Sequence, residues 1–109
     1  MCRRRRLFDP GSSLTDTYGT AKAGLHGLAR SLARELGPAG ILVTVVMPGL
    51  VATERNLQMI PQQVREAIAG HSCTGRLTDP DEVAAAIVFL ASSANGNVTG
   101  ETLHIAGGM

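Results

Sequence analysis

The sequence lacks a long apolar run and carries little net charge. Its longest apolar stretch, Ile41–Pro48, is interrupted by Thr44 and is far too short to cross a bilayer. The 109 residues are 44% hydrophobic and 17% charged, with a formal net charge of +1, which favours a globular protein over a disordered chain. The one basic run, Arg3–Arg6, has no aromatic or basic reinforcement downstream. We therefore predict a solvated arm there, and neither a nucleic acid nor a membrane as partner.

Cysteine is also scarce. Cys2 and Cys73 lie far apart along the chain, so their spacing gives neither a disulfide framework nor a CxxC ligand pair. The three histidines show no ligand spacing, so no metal site is predicted. No apolar segment follows the basic start, so no signal peptide is expected. We predict two free thiols and a cytoplasmic location.

The middle of the chain alternates between helix and strand patterns. Leucines spaced three and four residues apart predict a helix from Thr17 to about Leu36, stopped by Gly37 and Pro38. The following run, Ile41–Met47, is apolar on both faces and rich in β-branched residues. Such a run is typical of a central parallel strand that helices cover on both sides.

The second half continues the alternation. Residues 62–69 favour a short helix inside a mixed segment, and a stronger helix start follows at Asp79, with Pro80 at the first helical position and Glu82 placed for a capping box. That helix is predicted to run to about Ser92, and a last short strand covers Thr102–Ala106. This order predicts an α/β parallel sheet. Two strands make too small a sheet to be stable alone, so we expect one end of a doubly wound domain.

Tyrosine and lysine occur once each, as Tyr18 and Lys22. On a helix these positions lie on one face, within side-chain reach. A phenol titrates near pH 10, and an ammonium group one turn away favours the phenolate and lowers the phenol pKa toward the working range. The spacing therefore suits a Tyr general acid/base tuned by a Lys. The pair alone is a weak signal, because both residue types are common at surfaces.

The surroundings of this pair strengthen the interpretation. Residues 18–25, YGTAKAGL, followed by LAREL at 32–36, resemble the catalytic helix of short-chain dehydrogenases/reductases. The strand ending at Pro48 and Gly49, with Val51 and Thr53 after it, resembles the family's sixth strand and the loop that meets the nicotinamide. Residues 75–84, 89–92, 98–100 and 107–108 look like its C-terminal signature. The resemblance covers residues 17–109 and is closest to the 3-oxoacyl-acyl-carrier-protein reductase branch.

The resemblance implies a fold and a set of roles. The fold would be the C-terminal half of a doubly wound, parallel-sheet Rossmann-like domain over residues 17–109, preceded by a basic arm and loop over residues 1–16. Tyr18 and Lys22 would be catalytic, and both would also contact an NADP or NAD cofactor. Further cofactor-binding positions would be Pro48, Gly49, Val51 and Thr53. Residues 54–72 would form the substrate lid, over a small carbonyl or alcohol substrate.

Several parts of the family pattern are missing from this chain. No glycine-rich dinucleotide fingerprint occurs, and the position of the family's catalytic Ser, about thirteen residues before the Tyr, falls at Arg5. Ala106 stands where the family usually has Asp. We therefore expect a truncated NAD(P)-dependent oxidoreductase that needs an N-terminal half. The alternative is a non-catalytic remnant or a dimerisation or interaction module, since Gly24 and Gly27 would let another backbone approach. A homo-oligomer or a complementing chain is the expected partner.

Overall fold

The computed structural model describes the backbone of residues 13–109 and the side chains from residue 19 onward. The described part contains six regular elements and a short 3-10 turn at Gly37–Ala39. In chain order they are α1 (Ser13–Leu36), β1 (Val45–Pro48), α2 (Glu54–Met59), α3 (Gln62–His71), α4 (Pro80–Ala91) and β2 (Thr102–Ile105). None of these helices combines the length and apolar character needed to cross a bilayer.

The two strands form one small sheet. The Val45 amide donates to the Glu101 carbonyl at 3.0 Å, and the Gly49 amide donates to the Ile105 carbonyl at 3.0 Å. Residue numbers rise together along the two strands, so the pairing is parallel. The predicted α/β class is therefore confirmed, with a parallel sheet of two strands.

The described residues divide into two compact units. One comprises residues 13–45 and Gly96–Leu103, and the other comprises Val46–Asn95 and His104–Met109. In the first unit, Ala29 and Ala33 of α1 are buried, and a Cβ on Gly100 would lie 3.4 Å from the Ala33 Cβ. Small side chains on this face of α1 therefore let the 96–103 segment approach the helix closely.

The second unit buries polar side chains that are hydrogen-bonded. The Thr78 hydroxyl donates to the Ile105 carbonyl at 3.1 Å, and the Asn95 amide donates to the Leu90 carbonyl at 3.0 Å. Both residues are buried, at 7% exposure each. These bonds satisfy groups that would otherwise destabilise the fold by losing their contact with water.

The capped helix α4 confirms the prediction made at Asp79. The Asp79 carboxylate accepts from the Asp81 amide at 2.9 Å, and the Glu82 carboxylate accepts from the Asp79 amide at 3.1 Å. Pro80 occupies the first turn, where its missing N–H has no intrahelical partner to lose. Local chemistry determines where this helix begins.

Other boundaries differ from the predictions. Helix α1 begins at Ser13 instead of Thr17; the sequence SSLTDT at 12–17 contains several residues of the types that start helices. The part of the predicted arm before Ser13 lies outside the described residues. The strand begins at Val45 instead of Ile41: the Val43 amide donates to the Thr99 hydroxyl at 2.9 Å, in an irregular pairing that precedes the ladder.

In the part of the chain that the structure describes, the residues of the predicted strand are only partly covered. The residues of β1 are half-buried or exposed, and the Ile41 and Leu42 side chains retain 47% and 36% exposure. The cysteine prediction is wrong at Cys73, which is disulfide-bonded. Separation along the chain does not limit how closely two thiols approach in space. Cys2 lies outside the described residues.

Candidate functional site

Helix α1 carries the predicted catalytic pair. Positions 18 and 22 lie one turn apart on an uninterrupted helix, as the Tyr18–Lys22 interpretation requires. The side chain of Lys22 is half-buried, and that of Tyr18 is outside the described side chains. Both positions belong to the unit that contains residues 13–45.

A hydrogen bond joins the middle of this helix to β2. The ring Nδ1 of His26 contacts the Thr102 hydroxyl, and His26 lies one turn beyond Lys22. Thr102 is the first residue of β2 and lies in the same unit as His26. The bond therefore fixes the position of α1 relative to the start of this strand. The sequence offers no reason to select His26, since no motif or ligand spacing includes it.

At the end of β1, the backbone of Gly49 lies very close to Ala106. A Cβ placed on Gly49 would lie 2.8 Å from the Ala106 Cβ and 3.2 Å from the Ala106 Cα. Real Cβ atoms do not approach so closely, so only glycine fits at position 49 beside this neighbour. Pro48, the last residue of β1, precedes it and is exposed.

Val51 has an occupied carbonyl and an available amide. Its carbonyl accepts from the Thr53 amide at 2.8 Å and from the Asn56 side-chain amide at 2.8 Å. Its own N–H has no hydrogen-bond partner among residues 13–109, although the flanking residues pair with Thr78. Val51 is half-buried, and an N–H that has no acceptor among the described residues can donate to the oxygen atom of a ligand.

Thr53 caps the helix that follows it. The Thr53 hydroxyl oxygen accepts from the Asn56 amide at 3.1 Å and so begins α2. A hydroxyl can accept and donate at once, and the hydrogen of the Thr53 hydroxyl has no acceptor among the described residues. Helix α2 was not predicted, although a Thr followed by an acidic residue is a recognisable start signal.

The segment predicted as a lid consists largely of α2 and α3. Both helices carry large apolar side chains toward solvent: Leu57 is 41% exposed, Met59 72% and Val64 46%. The Arg65 Nε donates to the Ile60 carbonyl at 3.1 Å, which ties the second helix to the junction before it. An exposed apolar surface of this kind is suited to an apolar ligand.

A salt bridge beside α4 was not predicted from the sequence. The two terminal nitrogens of Arg76 donate to the two carboxylate oxygens of Glu82, at 2.6 and 3.0 Å. The Arg76 hydrogen bond lowers the pKa of Glu82, and the Asp79 amide adds to the effect. Reciprocally, the Glu82 carboxylate raises the pKa of Arg76. This exposed cluster fixes the loop that leads into α4 and has no evident catalytic role.

The predicted site residues fall into two sets. Tyr18 and Lys22 belong to one unit, and Pro48, Gly49, Val51 and Thr53 are nearly consecutive in the other. Among the described residues, the second set presents an amide and a hydroxyl hydrogen that have no acceptor, beside a glycine without a side chain. Those two groups can donate to an oxygen atom of a bound ligand.

Comparison with known proteins extends the resemblance seen in the sequence. The family described as enoyl-(acyl carrier protein) reductase matches residues 10–109. A 3-oxoacyl-(acyl-carrier-protein) reductase of Vibrio harveyi is 42% identical over 99 residues, covering 91% of this chain and 40% of the relative. The corresponding Escherichia coli K12 protein is 46% identical over 92 residues, covering 84% and 37%. A (3R)-3-hydroxyacyl-CoA dehydrogenase of Canis lupus familiaris is 41% identical over 92 residues, covering 84% and 35%.

These relatives are longer than the chain. The chain spans about 40% of the Vibrio harveyi protein's length, and its matches extend over nearly all of the chain itself. The match includes the YGTAKAGL helix, the strand that ends at Pro48 and Gly49, and the capped helix α4. The chain therefore belongs to the short-chain dehydrogenase/reductase family and is similar to its 3-oxoacyl-acyl-carrier-protein reductases.

Proposed function

We propose that this chain supplies the proton-transfer part of an NAD(P)-dependent oxidoreductase that acts on a carbonyl/alcohol pair. The observation that carries the proposal is the placement of Tyr18 and Lys22 one turn apart on a continuous helix, in a chain of this family. The names of the relatives describe a 3-oxoacyl reductase and a 3-hydroxyacyl dehydrogenase. Those names denote the two directions of one carbonyl/alcohol conversion, which supports the proposed reaction class.

In the reducing direction, the Tyr18 hydroxyl donates its proton to the carbonyl oxygen of the substrate, which becomes the alcohol oxygen. The Lys22 ammonium group stabilises the resulting phenolate, which lowers the free energy of the proton transfer. A bound NADPH or NADH supplies the hydride that the carbonyl carbon receives. In the oxidising direction the phenolate takes the proton from the alcohol, and the hydride of the alcohol carbon would pass to bound NADP+ or NAD+.

The second set of residues would hold the nicotinamide. The unpaired Val51 amide would donate to the carboxamide oxygen, and the Thr53 hydroxyl hydrogen is a second donor beside it. Pro48 and Gly49 would form the wall of the pocket, since neither presents a long side chain. This assignment rests on the hydrogen-bonding capacity of the groups and on the match to the family.

The proposed activity needs parts that this chain does not contain. The dinucleotide fingerprint and the family's Ser are absent from its sequence, and a two-stranded sheet leaves the sides of β1 incompletely covered. We therefore propose that β1 and β2 are the end of a doubly wound sheet whose remainder comes from further polypeptide. A second chain or additional sequence would serve equally. The cytoplasmic location also remains a prediction.

A second candidate is a non-catalytic interaction module of the same family. Its support is the exposed surface of α1, where Leu25 and Leu28 retain 49% and 57% exposure. A Cβ on Gly24 or Gly27 would meet nothing within 4 Å, so a partner backbone has room to approach there. Under this proposal the chain binds a partner and neither NADPH nor NADH.

A binding and turnover experiment separates the two candidates. The full chain is mixed with NADPH or NADH and a 3-oxoacyl thioester, alone and together with the part of the Vibrio harveyi relative that this chain does not span. The proposed activity predicts a change in cofactor fluorescence and oxidation of the cofactor in the combined sample. Tyr18→Phe and Lys22→Met should each lower turnover at least about a hundredfold, whereas Glu35→Gln, an exposed change on the same helix, should not. Partner binding without cofactor binding would support the interaction module instead.

A further inference from the structure

A cavity in the unit containing residues 13–45 combines basic and acidic side chains. Its volume is about 410 Å³, and it is lined by His26, Arg30, Ala33, Arg34, Thr99, Gly100 and Glu101. None of these residues belongs to the set proposed above for the cofactor. The volume falls in the range of small-molecule binding sites, which extends from roughly 300 to 1,000 Å³.

Two guanidinium groups line the cavity without an acidic partner. Arg30 and Arg34 are four residues apart on α1, so their side chains leave the same face of the helix. Neither forms an ion pair with any residue in the described part of the chain, although the Glu101 carboxyl group lines the same cavity. Like charges at this spacing destabilise a helix. An anion between them would remove that repulsion.

The backbone around the cavity is already hydrogen-bonded. The Gly100 amide donates to the Val43 carbonyl at 2.7 Å, and the Thr99 hydroxyl accepts from the Val43 amide at 2.9 Å. Recognition in the cavity therefore falls to side chains. The Arg30 and Arg34 guanidinium groups are donors that match phosphate oxygens in a two-point geometry.

The acidic side of the cavity restricts the ligand further. The Glu101 carboxylate is acceptor-only when ionised, so it repels a second anionic group but accepts from a hydroxyl. Free phosphate is also small compared with a cavity of about 410 Å³. We propose that this cavity binds a small phosphate monoester that carries hydroxyl groups, with the phosphate on Arg30 and Arg34 and a hydroxyl on Glu101.

This proposal can be tested by nuclear magnetic resonance titration of the full chain. The titrants are glycerol 3-phosphate, inorganic phosphate and glycerol, each at low ionic strength, where electrostatic screening is weak. Amide shifts should be confined to the neighbourhood of Arg30, Ala33 and Gly100. Glycerol 3-phosphate should bind more tightly than phosphate, and glycerol should not bind. Arg30→Gln and Arg34→Gln should each raise the Kd for glycerol 3-phosphate at least about tenfold.

Two further variants distinguish binding from a general loss of structure. Glu101→Gln should tighten the binding of inorganic phosphate and reduce the preference for glycerol 3-phosphate. Arg34→Lys keeps the charge but loses the two-point donor geometry of the guanidinium group. Its Kd for glycerol 3-phosphate should lie between those of wild type and Arg34→Gln. Arg55→Gln, an exposed change on α2, is the matched control and should leave every Kd unchanged. Absence of binding by wild type, equal Kd values in the arginine variants and wild type, or shifts spread over the whole chain would overturn the proposal.

Discussion

At the scale of single residues, Gly49 and Ala106 are complementary in size: the missing side chain of Gly49 leaves room for Ala106. Ala106 occupies a position where Asp is usual in the family, and its methyl group would lie 2.8 Å from a Cβ on residue 49, closer than real Cβ atoms approach. The requirement for glycine at position 49 therefore comes from crowding, since its φ is not among the positive values of the chain. The sequence identified Gly49 through its place after the strand, but not this reason for it.

Gly49→Ala should destabilise the chain by about 1–3 kcal/mol, the usual cost of forcing an extra group into a packed site. Urea denaturation followed by circular dichroism measures the change. Gly27→Ala is the matched control, because the added methyl group meets nothing within 4 Å on α1. It should stabilise the chain by roughly 0.5–1 kcal/mol through the higher helix propensity of alanine. Equal effects of the two changes would contradict the crowding argument.

Thr53 has a structural role that can be separated from the proposed contact with the cofactor. Thr53→Ser keeps the hydroxyl that caps α2, whereas Thr53→Ala removes it and should destabilise the chain by about 1 kcal/mol. Thermal unfolding measures both. If Thr53→Ala and Thr53→Ser have the same melting temperature, the cap contributes nothing to stability.

At the scale of elements, α4 shows how far local sequence determines structure. Its start follows from Asp79, Pro80 and Glu82, each of which acts on backbone groups a few residues away. Helix α2 has a similar start at Thr53 but only six residues, too few to produce a clear apolar period. The start of α1 was misplaced because several neighbouring residues can cap it. The start of a helix could therefore be predicted from the sequence where a single capping signal was present.

The salt bridge at α4 predicts a pH-dependent stability. Arg76 lowers the pKa of Glu82 in the folded chain, so the stabilisation is present above the ordinary carboxyl pKa of about 4.3 and is lost as the pH falls through the lowered folded value. Glu82→Gln keeps an acceptor for the Asp79 amide but removes the ion pair with Arg76. It should lower the melting temperature at pH 7 and have less effect as the solution is acidified.

The comparison needs low salt, because the pair is exposed and is screened by ions. Glu66→Gln on α3 is a suitable control: its carboxylate accepts only from a glutamine side chain four residues away in the described contacts. A melting-temperature difference between wild type and Glu82→Gln that stayed constant down to pH 2 would show that the ion pair does not contribute.

At the scale of the whole molecule, the described residues bury few large apolar side chains. None of the described side chains is less than 2% exposed, and the apolar residues of α4 include Ile87, Val88 and Phe89 at 48–66% exposure. The sequence predicts that two strands are too few for a stable sheet, and the residues of β1 are half-buried or exposed. What covers these surfaces cannot follow from the sequence of this chain, because the covering atoms belong to other polypeptide under the proposed function.

For the proposed catalytic pair, Tyr18 and Lys22, sequence and structure contribute different information. The sequence supplied the residue types and their spacing, and the structure supplied the continuous helix that brings positions 18 and 22 to one side of α1. The His26–Thr102 hydrogen bond, which holds that helix against β2, joins residues 76 positions apart and left no periodic signal. Contacts between distant residues were the part that the sequence could not supply.

The influence of Lys22 on Tyr18 is the central claim, and it can be measured directly. The chain contains one tyrosine and no tryptophan, so phenolate absorbance during an alkaline titration reports Tyr18 alone. We expect the phenol of the folded wild-type chain to titrate at lower pH than that of Lys22→Met, and the two to coincide in concentrated urea. Identical titration curves for the folded wild type and Lys22→Met would contradict the account.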